Sequence, residues 1–174
     1  MRDMKKLFAV LFLLCALGLQ ANAYTQQEAI QKLQDMKQDP KSKMLFNYYI
    51  QNGKMDLVKL YVEAGQIDLN KRSGGFTHLV YAVYTKNPSI AIYLIENGAN
   101  PTLKTIDGIS PLFMAVKNGQ TDVVRKILET PNLNLKKQNA WLSPKFTTRA
   151  KRRHYDEIYK MLVDYEEKYK EYQK

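Results

Sequence analysis

A shift of 33 residues lays this chain over itself. Gly75 falls on Gly108, Thr77 on Ser110, Leu79 on Leu112 and Ala82 on Ala115, and the match continues through Ile90 and Val123, Ala91 and Val124, Leu94 and Ile127, and Ile95 and Leu128. The same shift backwards sets Phe46 under Leu79, Leu57 under Ile90, Val62 under Ile95 and Gly65 under Gly98. Like residues at one fixed period mark a chain of stacked copies of a supersecondary unit, each too small to bury its apolar face alone.

Within a unit the apolar spacing is helical. Thr77 and Ser110 can cap a short helix, and Pro111 stands just inside the second of these starts, where a missing amide hydrogen does no harm. Leu112, Ala115 and Val116 then recur on one face; after a turn come Val123, Val124, Ile127 and Leu128. Gly65 and Gly98 stand where a helix must end in a left-handed residue. Each unit therefore reads as two antiparallel helices and an extended turn.

The stretch Asp107, Gly108, Ile109, Ser110, Pro111, Leu112, Phe113, Met114, Ala115 resembles the opening of the ankyrin repeat. Gly119 with Val123, Val124, Ile127 and Leu128 resembles its second half, and Glu96, Asn97, Gly98, Ala99, Asn100 its closing turn. The chain departs from the pattern at His78 (proline in the family), at Lys86 (the inter-helix glycine) and at Thr130, Pro131, Asn132, where the closing glycine is lost. The resemblance implies an all-α solenoid of about three to four helix-pair repeats. The repeats span residues 42–142 (about 42–74, 75–107 and 108–140), with a capping helix at 24–41 and a degenerate capping unit with a C-terminal helix at 143–174. In that last unit Ser143 and Pro144 repeat the Ser110 and Pro111 start. The match then slips by one, setting Asp156, Ile158, Met161 and Leu162 under Asp122, Val124, Ile127 and Leu128.

The first residues concern compartment rather than fold. Arg2, Lys5 and Lys6 precede an apolar run at residues 7–19 and an Ala21, Asn22, Ala23 triplet, the form of a secretory signal peptide cut after Ala23. The run is shorter than the roughly 20 residues of a membrane span, and no later segment approaches that length, so no span is expected in the mature chain. Cys15, the only cysteine, lies in the segment that would be removed, and Leu14 before it argues against lipidation. The mature chain would have neither disulfide nor thiolate, which suits an oxidising space; the expected location is periplasmic or secreted.

Catalysis needs convergent titratable groups, and the sequence offers few. His78 and His154 are the only histidines and fall in different units; no Gly-rich phosphate loop or serine elbow occurs. No catalytic residue, metal site or cofactor is expected, and His78 reads as a substitute for the turn proline. A recognition surface is expected instead, since the ankyrin resemblance implies a groove formed by the turn tips and the exposed side of each first helix. By repeat position that groove would present Phe76, Ile109 and Leu142 after the repeat glycine, Tyr84, Thr85, Lys117 and Asn118 at the ends of first helices, and Ile106 and Trp141 at turn tips.

A second surface is electrostatic. Lys136, Lys137, Lys145, Arg149, Lys151, Arg152 and Arg153 fall in a segment with no acidic residue, in a chain of net charge +10, and could meet an anionic polymer or lipid headgroups. The last helix carries an apolar seam of Tyr155, Ile158, Leu162, Tyr165, Tyr169 and Tyr172; its first half is expected to pack on the last repeat and its second half to project. The expectation is a monomeric protein-binding module, an adaptor, protector or inhibitor of immunity type, whose partner is another protein; export argues against nucleic acid. The alternatives are a host-directed secreted effector or a binder of anionic polymer or lipid through residues 136–153.

Overall fold

The computed structural model describes residues 24–131, 133–138 and 145–173. The proposed signal peptide at residues 1–23, and Asn132, Trp141, Leu142, Ser143 and Pro144, lie outside the described residues.

Helix α1 (Gln26–Asp35) opens on a capping box: Thr25 Oγ1 accepts the Glu28 amide at 3.3 Å while the Glu28 carboxylate accepts the Thr25 amide at 2.8 Å. Three helix pairs follow. They are α2 (Lys43–Gln51) with α3 (Met55–Glu63), α4 (His78–Tyr84) with α5 (Pro88–Glu96), and α6 (Pro111–Asn118) with α7 (Thr121–Leu128). Ser42, Thr77 and Ser110 cap the first helices through their hydroxyls, at 3.3, 3.2 and 3.0 Å from Leu45, Val80 and Phe113 amides. A one-turn helix α8 (Leu135–Gln138) then precedes the last pair, α9 (Phe146–Arg152) and α10 (Asp156–Lys168), and a 3-10 turn closes the chain (Lys170–Gln173). A hairpin of β1 (Arg72–Ser73) and β2 (Phe76–Thr77) is a local ornament of the second repeat's tip.

The elements form two layers. First helices α2, α4, α6 and α9 lie side by side. Behind them α1 packs on α3, α5 on α7, and α7 on α10. The expected N-terminal cap is thus a half repeat that supplies a second-layer helix only. Between the layers lie Phe46, Leu79 and Leu112, then Ile50, Val83 and Val116, and from the second helices Tyr61, Leu94, Ile127 and Leu162, all fully buried or nearly so. The 33-residue spacing of the first three units is the core's own period, with Leu162 two residues further on.

Each pair turns in the same way. Gly53, Lys86, Gly119 and His154 are left-handed, at φ of 65°, 59°, 69° and 56°. One residue later an amide reaches back to the first helix: Lys54 to Tyr49, Asn87 to Ala82, Gln120 to Ala115 and Tyr155 to Ala150, each within 3.0 Å. The missing glycine at Lys86 therefore leaves the turn intact, at the steric cost of a Cβ in that region, about 1–2 kcal/mol. Lys86→Gly and His154→Gly are each expected to stabilise by roughly 0.5–1 kcal/mol after the added chain entropy of glycine is subtracted. Gly119→Ala should destabilise by more, since a Cβ there would sit 2.8 Å from the Tyr155 ring. Thermal unfolding of the three variants checks the order.

The fourth unit departs from the expected register. Helix α9 begins at Phe146 with no side-chain cap, and His154, Asp156, Ile158 and Leu162 take the places of Gly119, Thr121, Val123 and Ile127. The offset is therefore 35 residues, because two extra residues precede α9. The first half of α10 packs on α7 as expected, through buried Ile158 and Leu162 and a tether in which Tyr165 Oη donates to the Thr130 carbonyl (2.6 Å) and accepts the Leu133 amide (2.7 Å). Tyr169 does not project. Helix α10 stops before it, and its ring packs on the core 4.6 Å from Tyr165.

The register also sets the character of the outer face of the last pair. Thr147 and Lys151 replace buried Leu112 and Val116, while Tyr159 and Val163, more than a third exposed, replace Val124 and Leu128. Together with Arg152 and Glu166 they line an open groove of about 530 Å³ on the terminal face.

Candidate functional site

The first-helix layer and the turn tips form a continuous face. Tip is bound to tip, with the Ile106 amide donating to the Gly75 carbonyl at 3.0 Å and Arg72 Nε to the Lys104 carbonyl at 2.9 Å. The helix ends are bound in the same way across units: Asn87 Nδ2 donates to the Ile50 carbonyl (2.8 Å), and Asn118 Nδ2 and Gln120 Nε2 donate to that of Val83 (3.1 and 3.2 Å). These side chains add a hydrogen bond from the next unit to carbonyls in the last turn of a first helix that already accept backbone amides of their own turn.

The expected contact residues divide by what their side chains already do. Tyr84 is 55% and Ile106 78% exposed, and Lys117 is also open to solvent. Phe76 and Ile109 are half-buried, contrary to the exposed anchors expected. The Phe76 ring folds back over Tyr81 and Tyr84, at centroid distances of 6.2 and 5.8 Å, and Ile109 packs on the core beneath Thr105, whose hydroxyl accepts its amide at 3.0 Å. The returning tip thus shelters apolar surface of its own first helix. Thr85 and Asn118 are also engaged: the Thr85 hydroxyl donates to the Tyr81 carbonyl at 2.9 Å and accepts from Asn87, while Asn118 holds the neighbouring unit.

Of the basic segment, Lys136, Lys137, Lys145, Lys151, Arg152 and Arg153 are exposed, and Arg149 is not. Its guanidinium lies 4.8 Å from the Phe113 ring centroid; burial, and then the nearby Arg153 charge, pull its pKa down. The 35-residue register brings one residue of the basic segment, Arg152, into line with the first-helix face, while Lys151 lines the terminal groove. Gln51, Tyr84, Lys117 and Arg152 occupy the same place on successive first helices, so Arg152 continues the row that Tyr84 and Lys117 begin. The exposed Met44 and Tyr48 on α2 belong to this face and were not anticipated. A step back of 33 from Tyr81 to Tyr48 would have found the second. The same step reveals Lys71, Lys104 and Lys137, a lysine at one place in three successive turns.

His78 takes the first position of α4, the place of Pro111 in α6, and serves the core. It is 1% exposed, its Nδ1 lies 2.7 Å from Asn47 Oδ1, and its ring meets Phe46 edge-on at 4.9 Å. Burial, and secondarily the Lys43 charge, lower its pKa to about 4 against an opposing effect of Asp68, so it is neutral near pH 7. No helix among the described residues is long and apolar enough to cross a membrane.

Known proteins share this pattern. A family model of three ankyrin-repeat copies matches residues 14–105, and a single ankyrin-repeat model matches residues 107–138. The chain is 32% identical over 71 residues to the BTB/POZ domain and ankyrin repeat-containing protein NOOT2 of Medicago truncatula, a match covering 40% of this chain and 14% of that protein. It is 35% identical over 68 residues to the BTB/POZ domain and ankyrin repeat-containing protein NH5.2 of Oryza sativa subsp. japonica, covering 38% and 14%. Alpha-latrocrustotoxin-Lt1a of Latrodectus tredecimguttatus is 35% identical over 88 residues, covering 49% of this chain and 6% of the toxin. The matches thus span about a seventh or less of these relatives. With the period, the layers, the turns and the family models in agreement over most of its length, the chain belongs to the ankyrin-repeat family.

Proposed function

We propose that this protein is a protein-binding module that acts as a monomer in the periplasm or outside the cell, as an adaptor, protector or inhibitor of immunity type, and that its docking surface is the first-helix face. The observation that carries the reading is the set of solvent-facing side chains on laterally packed helices, Tyr48 beside the row of Gln51, Tyr84, Lys117 and Arg152, fixed by hydrogen bonds between units behind it. A rigid support of this kind keeps the entropic cost of binding low. Export rests on the residue pattern before position 24.

Two measurements test this reading. Fractionation with intact-mass analysis of the expressed full chain should find it outside the cytosol, shortened after Ala23; the uncut chain in the cytosol would refute export. The double variant Tyr48→Ala, Tyr84→Ala should keep its circular dichroism and melting temperature, since both side chains are mostly exposed. It should lose affinity for the native protein partner by roughly 30-fold or more, the usual effect of truncating aromatic anchors. Unchanged binding would show that another face is used.

A further inference from the structure

Charge is divided between the two layers in a way the net charge conceals. First helices α2, α4, α6 and α9 contain no aspartate or glutamate, whereas every second-layer helix, α1, α3, α5, α7 and α10, contains at least one. The second layer neutralises itself: Lys126 pairs with Glu129 at 2.9 Å and Glu96 at 3.2 Å, and Arg125 with Asp122 at 2.7 Å and with Glu157. Among the described residues no side chain of the first-layer helices takes part in such an ion pair, although Arg152 shares the terminal groove with Glu166.

The face is also graded along the stack. Its α2 and α4 half carries most of the exposed apolar and aromatic side chains, Met44, Tyr48, Tyr84 and the Phe76 ring over Tyr81, with one exposed cation, Lys43, at the start of α2. There Lys71 pairs with Asp68 at 3.8 Å, and Arg72 is engaged by the Lys104 carbonyl. The far half presents Lys117, Arg152 and Arg153, with Lys136 and Lys137 exposed on α8. Crowded like charges raise the energy of the free protein, and incoming carboxylates would relieve that repulsion.

We propose that the partner docked on this face is a protein presenting an acidic stretch beside an apolar anchor, with its carboxylates over α6, α8 and α9 and its anchor on the tyrosines of α2 and α4. The proposal rests on the protein-binding reading above and specifies the partner's chemistry. A single-stranded nucleic acid fits less well, because each nucleotide brings both a base and a phosphate and asks for aromatics and cations together along the groove; here most of the exposed aromatics and most of the cations lie at opposite ends. A flat anionic membrane has no use for the aromatic half's separation from the cations.

The test uses the full chain and two fluorescent peptides of identical composition, roughly 16 residues each, long enough to span the packed first helices. In one, glutamates and a tryptophan–leucine anchor form separate blocks; in the other they alternate. Fluorescence anisotropy at about 50 and about 300 mM salt should show tighter binding of the block peptide, weakening about tenfold or more at the higher salt. Lys117→Glu, Arg152→Glu should cost at least about tenfold and flatten the salt dependence, and Tyr48→Ala, Tyr84→Ala should weaken binding with the salt dependence kept. Equal binding of the two peptides, indifference to charge reversal, or tighter binding to a single-stranded oligonucleotide or to phosphatidylglycerol vesicles would overturn the proposal. If the native partner is lost with the tyrosines but survives charge reversal, the acidic assignment falls and the protein-binding reading stands; if neither double variant affects it, the reading itself falls.

Discussion

Phe46→Ala is expected to lower stability by about 3–5 kcal/mol, the usual cost of emptying a phenylalanine site in a close-packed core. Phe46 is fully buried where three helices meet, its ring 5.7 Å from Tyr61 on α3 and 4.9 Å from His78 on α4. Tyr61 and Tyr49 in turn hold the α1–α2 connection, donating to the Asp39 carbonyl (3.0 Å) and to Gln38 Oε1 (2.8 Å), so the cavity would loosen four elements. Because stability in a stack is close to a sum of unit and neighbour contributions, the loss should be local. Hydrogen exchange should show α1, α2 and α3 unprotected while α6, α7 and α10 remain protected. Uniform loss of protection, or a urea midpoint unchanged from wild type, would contradict this account. Tyr48→Ala, two positions further along the same helix and exposed, is the control and should move stability by no more than about 0.5 kcal/mol.

Acid should unfold the protein through His78. Its pKa in the folded chain is about 4, below the ordinary value of 6.5, so on acidification the unfolded chain takes up the proton first. The stability it lends is complete above about pH 6.5, declines as pH falls through the interval, and is lost below about pH 4, a total of about 3 kcal/mol. Geometry gives the reason: a protonated ring would carry a second N–H at Nε2, which is buried without a hydrogen-bond partner, while Nδ1 already faces Asn47. Subtracting the stability-versus-pH curve of His78→Gln from that of the wild type isolates this residue from the carboxylates. The difference should slope between pH 6.5 and 4 and be flat above; a flat difference throughout would show that burial does not hold the ring neutral.

The repeats were legible because their buried positions recur. Phe46, Leu79 and Leu112 fill one place in successive units, and a periodic core prints its period on the sequence. Even the loss of glycine at Lys86 did not obscure the turn, since its neighbours kept the pattern. The fourth unit was harder: two residues inserted before α9 broke the alignment at its start, and only the left-handed His154 and the buried Ala150 and Ile158 restore it. Of the face, Tyr84, Ile106 and Lys117 were readable from repeat position alone. Phe76 and Ile109 were not, because whether a tip residue points outward or folds back depends on what lies beneath it. Thr85 and Asn118 looked like free polar contacts, yet the carbonyls that consume them belong partly to another unit, reached only once the stacking is known. The union of Arg152 with Tyr84 and Lys117 also needed the true register.

The groove on the outer side of α9 and α10 shows how a face that seats no further unit among the described residues differs from the faces between units. A leucine and a valine in α6 become Thr147 and Lys151 in α9, and these two side chains keep the last plate of the column from offering its neighbour-facing surface to anything that arrives. With leucine and valine restored there, beside Tyr159 and Val163, the column would end in an adhesive cross-section ready for one more storey, whether a grafted unit or a sister molecule.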